Sequence, residues 1–177
     1  MIKVLKGIFT PLSEASLEEK REEFNQLYKD NSEFIRSSIY WMVRSENIDD
    51  IVQESFLKAW KNFNRFNNES SFRTWLYRIA MNTTYDFLRK NNVLLENDID
   101  AQASKTKDDT LKDLITKGLL SLNFKHREAF ILFYKLEYSQ KEIAEMLSIS
   151  EGTAKSRIYY AKEKFTTFLK DNGVEDE

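Results

Sequence analysis

The chain has 177 residues, no cysteine, one proline, four glycines and a formal charge of −2. Without thiols it can form neither disulfides nor thiolate metal sites, and so few turn residues and β-branched runs speak against a sandwich or barrel. At roughly 100–200 residues per domain the length fits one or two domains, and Leu, Lys, Glu and Phe at helical spacing predict an all-α protein.

Residues 1–19 read as an N-terminal extension. Its short apolar patch, MIKVLKGIF, lacks the long apolar core and small-residue cleavage site of a signal peptide. No run reaches the ~18 consecutive apolar residues of a membrane span, so the expectation is a cytoplasmic protein with no membrane insertion.

From Phe24 the apolar positions Leu27, Tyr28, Phe34, Ile35, Ile39 and Met42 predict a helix ending near Arg44. A second helix follows Asn47, with Ile48, Ile51, Val52, Phe56, Ala59, Trp60 and Phe63 on its core stripe. Its other face carries Asp49, Asp50, Gln53 and Glu54, three and four residues apart. An acidic face of this kind cannot lie on DNA; it suits solvent or a basic protein surface.

Next come the aromatic and amide-rich segment Phe63 to Asn68 and a third helix over Ser71 to Lys90. Phe72, Trp75, Leu76, Ile79, Ala80, Thr83, Phe87 and Leu88 give that helix a core stripe, and Arg73, Arg78, Asn82, Arg89 and Lys90 give it a donor-rich back. Cations beside aromatics and amides are what single-stranded nucleic acid needs: charge for phosphates, rings for unstacked bases and amides for base edges. A core helix with a solvated face is the alternative. Residues 20–92 are read as one helical domain.

Residues 93–110 lose the helical period and read as a linker. A second, smaller helical domain is expected over 111–170, starting from Leu111, Leu114, Ile115, Leu119 and Leu122 and continuing through Ala129, Phe130, Phe133 and Leu136. Between these runs His126 reads as lying in a polar turn with Lys125 and Arg127.

Ser139 and Glu142 then form a capping box that opens a short helix with Ile143, Ala144 and Leu147 inward. After Ser148, Ile149 and Ser150 a longer helix buries Ala154, Ile158, Ala161 and Phe165. A short helix, a tight turn and a longer helix make a helix-turn-helix, whose second helix reads the major groove. Thr153, Lys155, Ser156, Arg157, Tyr159, Tyr160 and Lys162 face outward on it. An ordinary αα-hairpin is the alternative. Residues 171–177 form an acidic tail.

The charge is unevenly distributed. Residues 1–90 carry +1, 91–118 −2, 119–138 +1, 139–170 +2 and the tail −4. Phosphate neutralisation supplies most non-specific DNA affinity, so such weak basicity calls for a partner that contributes the rest.

The run from Phe24 to Lys90, with DDIVQESFLKAW and SFRTWLYRIAMNTTYDFLRK, followed by YSQKEIAEMLSISEGTAKSRIYYAKEKF, resembles the extracytoplasmic-function sigma factors of bacterial RNA polymerase. Three motifs match in the expected order across about 150 residues. The resemblance implies two domains, sigma region 2 and the region 4 helix-turn-helix, and names core RNA polymerase as the missing partner. It makes Asp49, Asp50, Gln53, Glu54 and Lys58 candidates for the polymerase clamp contact. Phe66, Asn67, Asn68, Glu69 and Ser70 become candidates for the pocket that captures a flipped minus-ten base. Arg73, Asn82, Asp86 and Arg89 would line the path of the non-template strand, and the outward residues of the last helix would read the minus-thirty-five element. It also implies an anti-sigma factor.

The chain departs from the family pattern at Asn47, Ser148, Ala154, Tyr160 and Asn123-Phe124. A left-handed Ser148 in place of glycine would cost about 1 kcal/mol. The alternative function is a one-component regulator with an N-terminal interaction domain. No catalytic residues, metal ligands or cofactors are expected: His126 is the only histidine, no nucleophile or orienting acid is spaced around it, and no glycine-rich phosphate loop occurs.

Overall fold

The computed structural model describes residues 14–44, 48–90 and 107–174. The expectations for residues 1–13, Asn47, 91–106 and 175–177 lie outside the described residues. Every regular element among the described residues is helical: α1 Glu14–Val43, α2 Asp49–Asn62, a 3-10 turn Phe63–Arg65, α3 Phe72–Lys90, α4 Lys107–Leu120, α5 Phe124–Tyr134, α6 Gln140–Leu147 and α7 Glu151–Asp171. Two of these reach further than their periodicity suggested. Apolar spacing begins only at Phe24, yet α1 starts ten residues earlier as an exposed, charge-rich extension. Likewise α4 starts inside the expected linker.

Helices α1, α2 and α3 pack on one another around aromatic rings. Phe24 meets Trp60, Phe63 and Phe72 edge-on at 5.2, 5.2 and 6.1 Å, the geometry that aligns a ring edge with a neighbour's electron-rich face. Ser38, Ser55, Thr83 and Thr84 lie inside the same core because each hydroxyl bonds the carbonyl four residues back in its own helix. No buried hydroxyl there is left unpaired.

The second group, α4 to α7, is built from smaller side chains: Ala129, Ala144, Ala154 and Ala161 are buried beside Leu122, Leu132, Ile143 and Ile158. Gly118 lets α4 approach α7, since a Cβ there would lie 2.7 Å from the Phe165 ring. Caps define the helix starts. The Asn123 side chain accepts from His126 N at 2.9 Å, Ser139 and Glu142 form the expected capping box, and Ser150 accepts from Thr153 N at 3.1 Å.

The stretch read as a polar turn is instead the first turn of α5, and Arg127 within it and Glu128 just after are buried at 5% and 8% exposure. Their burial follows from the packing of α5 on α1, a contact between residues far apart in sequence. One apolar cluster joins residues of α1, α2, α3, α5, α6 and α7. Helix α3 accordingly buries more than its one stripe, with Tyr77, Met81 and Thr84 inside as well. Tyr28, Trp60 and Leu111, expected in the core, are 43%, 36% and 49% exposed.

Candidate nucleic-acid and partner interfaces

Helix α2 displays Asp49, Asp50, Gln53 and Glu54 on its exposed face, as its spacing requires. Asp49 pairs with Arg36 of α1. Glu54 pairs with Lys58 at 2.9 Å, and its hydrogen bond to that ammonium holds its carboxyl below the usual range. Lys58 also donates to Thr83 Oγ1 at 3.2 Å and so ties α2 to α3. Leu57 is 58% exposed in the same row. With Trp60, Phe56, Val52, Phe24 and Tyr28 it borders a groove of about 610 Å³ between α1 and α2. A polar face edged by an exposed apolar groove suits a protein partner better than phosphate. Leu57 was legible as a leucine off the core stripe, three and four residues after Glu54 and Gln53.

After the 3-10 turn, Phe66 adopts an extended backbone and starts the loop to α3. Its half-buried ring packs on Phe72 at 5.5 Å and Trp75 at 5.1 Å. Asn67 donates to Glu69 Oε1 at 2.7 Å, and Asn68 takes a left-handed φ of 60°. Ser71 caps α3 by accepting from Thr74 N at 3.1 Å, with Ser70 just before it. Phe66, Asn67, Asn68, Glu69 and Ser70 are therefore brought together in one short loop at the N-terminus of α3. Arg73 lies beyond it, donating to Asn31 Oδ1 at 3.0 Å and stacking 5.0 Å over Phe34. Asn82 and Arg89 are exposed further along α3, and Asp86 accepts from Arg89 at 3.4 Å.

In the helix-turn-helix, Ser148 closes α6 in the left-handed conformation, at φ 53° and ψ 48°. Its N–H and that of Ile149 bond carbonyls of Ala144 and Glu145. Met146 is buried in α6 while Leu147, expected inside, is half-buried; Phe165 of α7 is likewise only half-buried, against Phe130 at 5.0 Å. Lys155, Ser156, Tyr159, Tyr160 and Lys162 are exposed along α7, and Thr153 is half-buried beside its cap. Arg157 is half-buried too, and its charge acts on Glu128. His126 stacks on Tyr160 at 6.4 Å; partial burial, then Arg157 and Lys164, push its pKa down and leave it neutral at pH 7.

The two helical groups also meet, through residues that periodicity did not single out. Arg78 Nε and NH2 donate to Met146 O at 3.0 Å and Glu145 O at 2.5 Å. Arg127 donates to Met42 O at 2.7 Å and to Leu120 O and Leu122 O, both at 2.9 Å. Arg44 donates to Thr116 Oγ1. Glu128 faces the Tyr77 hydroxyl and shares a hydrogen bond with it. Desolvation raises the Glu128 carboxyl to about 7, against the opposing effects of Tyr77, Arg157 and Lys125. Burial also lowers Arg127 to about 10.

Family models for Sigma-70 region 2 and Sigma-70 region 4 match residues 27–93 and 112–165. The chain is 34% identical to the ECF RNA polymerase sigma factor SigW of Bacillus subtilis over 143 residues, covering 70% of this chain and 75% of that one. It is 29% identical to the ECF RNA polymerase sigma-E factor of Haemophilus influenzae, covering 81% and 85%. In fold it is similar to the sigma factor RpoE of Bartonella quintana, solved with the anti-sigma factor NepR, at TM-score 0.64 over 84% of this chain and 98% of that one. It is also similar to CnrH, solved with the cytosolic domain of CnrY, at TM-score 0.67 over 86% and 91%. Two helical groups carrying an acidic-faced helix, an amide-rich loop and a helix-turn-helix thus coincide with matches to both sigma regions, and the chain belongs to the ECF family of RNA polymerase sigma factors.

Proposed function

We propose that the chain performs its role in transcription initiation through three surfaces. The α2 face, Asp49, Asp50, Gln53, Glu54 and Lys58 with the neighbouring Leu57 groove, docks on core RNA polymerase. The loop of Phe66, Asn67, Asn68, Glu69 and Ser70 holds a base flipped from the minus-ten element, and Arg73, Asn82, Asp86 and Arg89 guide the displaced strand. The outer row of α7, from Thr153 through Lys155, Ser156, Arg157, Tyr159 and Tyr160 to Lys162, reads the minus-thirty-five duplex. Region 2 then corresponds to residues 20–92 and region 4 to residues 111–170. The protein works in the cytoplasm, binds an anti-sigma factor and performs no catalysis of its own.

The observation that carries this reading is that an acidic α2 face, an amide-rich loop and a largely exposed α7 row stand on one chain that matches both sigma regions. A one-component regulator would account for α7 and leave the region 2 match unexplained. The test is reconstitution: core polymerase with this protein initiates from a promoter selected by the holoenzyme, and core alone does not. Failure to bind core overturns the reading. Substituting Lys155 and Arg157 together should abolish promoter-specific initiation while leaving core binding in place.

A further inference from the structure

His126 links two of the positions at which the chain departs from the family pattern, Asn123 and Tyr160. Asn123 caps α5 by accepting from His126 N at 2.9 Å, and its amide nitrogen lies 3.3 Å from Nδ1 of the same residue. One short side chain therefore fixes both the backbone and the ring of His126. With Asn123 Oδ1 taken by the N–H, the amide nitrogen donates to Nδ1, and the neutral imidazole carries its proton on Nε2. The ring so held lies nearly parallel to that of Tyr160, with centroids 6.4 Å apart and planes 22° from each other. Tyr159 meets Tyr160 edge-on at 5.5 Å. Both distances fall within the range of about 4.5–7 Å at which aromatic pairs attract.

Tyr160 thus has an aromatic neighbour on α5 and another on α7, and is still 60% exposed. The ring pair is neutral while its surroundings are charged. Arg157 stands one turn before Tyr160 and Lys164 one turn after it. Partial burial and then these two cations hold the imidazole below its ordinary range, so it adds no third charge at pH 7. Cations bind phosphates anywhere along a duplex and carry no sequence information. A neutral ring held in place on a major-groove helix meets instead the apolar group that a base pair displays there, the C5-methyl of thymine. An arginine at the same position would offer two donors to O6 and N7 of guanine.

We propose that His126 is a positioning residue for Tyr160, and that the Tyr160 ring so held selects a thymine methyl in the minus-thirty-five duplex where an arginine would select guanine. The inference rests on the α7 reading above and adds to it the residue pair that decides one base pair and the chemistry by which it does so. The methyl contact needs the ring of Tyr160 and not its hydroxyl. His126 acts through Tyr160 alone: it keeps the ring in one orientation, so the contact forms without the cost of ordering a free side chain.

The test uses holoenzyme assembled from core polymerase and the full chain. Promoters with a randomised minus-thirty-five region are selected by wild type, Tyr160→Arg, Tyr160→Ala, His126→Ala and His126→Phe, with circular dichroism and core affinity as the checks on folding. Wild type should hold thymine at one base pair where Tyr160→Arg holds guanine, and Tyr160→Ala and His126→Ala should hold neither. His126→Phe keeps a flat ring against Tyr160 and should restore the thymine. Deoxyuridine in place of that thymine removes the methyl alone. It should lower the promoter affinity of wild-type holoenzyme about 4-fold, the worth of one buried methyl, and leave that of Tyr160→Ala unchanged. The inference is overturned if no selected thymine depends on Tyr160, if deoxyuridine costs wild type nothing, or if His126→Ala keeps the wild-type preference. The deoxyuridine comparison on wild type decides the methyl contact even where a variant fails to fold. Wild-type holoenzyme that selects no minus-thirty-five sequence at all would instead sink the α7 reading.

Discussion

The two helical groups are stabilised by different means. The first is held by volume: Phe24, Phe63, Phe72 and Trp60 interlock, and its buried Ser38, Ser55, Thr83 and Thr84 hydroxyls are satisfied within their own helices. The second is held by caps and polar contacts around small side chains, with an arginine and a glutamate inside. An aromatic core tolerates changes in its surroundings so long as the rings stay. A core of alanines and aliphatic side chains without interlocked rings depends on each helix being correctly terminated and on the neighbour it leans against.

That contrast can be broken most severely at Phe24. Truncation to alanine removes three edge-on ring contacts from the first core and should cost about 3–5 kcal/mol in denaturant unfolding. Arg127→Ala is the counterpart in the second group. It leaves three carbonyls without their charged donor, and hydrogen bonds to charged groups are worth about 1.5–3 kcal/mol each at most; a loss of about 3 kcal/mol is expected.

Acidity offers a test at the contact between the two groups, where Glu128 of α5 meets Tyr77 of α3. Glu128 keeps its proton up to about 7 when packed, whereas an exposed glutamate loses it near pH 4.3. The packed state therefore binds more protons between those values, and unfolding free energy should fall as pH rises through that window and level off above it. Glu128→Gln should flatten the slope, as read from urea midpoints. Glu142, lowered by its bonds to the Ser139 hydroxyl and N–H, loses its contribution only as pH falls below the ordinary carboxylate range, so the two effects do not overlap.

The capping changes are smallest. Ser139→Ala removes the box that starts α6 and should cost about 1 kcal/mol. Ser148→Gly should stabilise by about 1 kcal/mol, because glycine enters the left-handed region without a Cβ penalty. Thermal midpoints of the two variants should move in opposite directions.

Much of this was readable from residue order. The capping box at Ser139 and Glu142, the cap at Ser150, the buried row Ala154, Ile158 and Ala161, and the acidic face of α2 are all local patterns that one helix can state by itself. What escaped was non-local. Tyr77, Met81 and Thr84 are inside because α3 is covered from two sides, and periodicity marks only one stripe per helix. Arg127 and Glu128 sit in a run of four polar residues that looks solvated until α5 is placed on α1. Arg78 looks like one more surface cation, since the carbonyls it serves lie sixty-seven and sixty-eight residues away. Trp60 shows the opposite error: it keeps the core period and still comes to the surface at the edge of a groove.

The apolar cluster that α1, α2 and α3 share with α5, α6 and α7 has a calorimetric consequence. Two domains with separate cores would melt as two independent units, whereas a shared core ties their denaturation into one cooperative unit, with a van't Hoff enthalpy close to the measured heat. The isolated chain should therefore show a single endotherm.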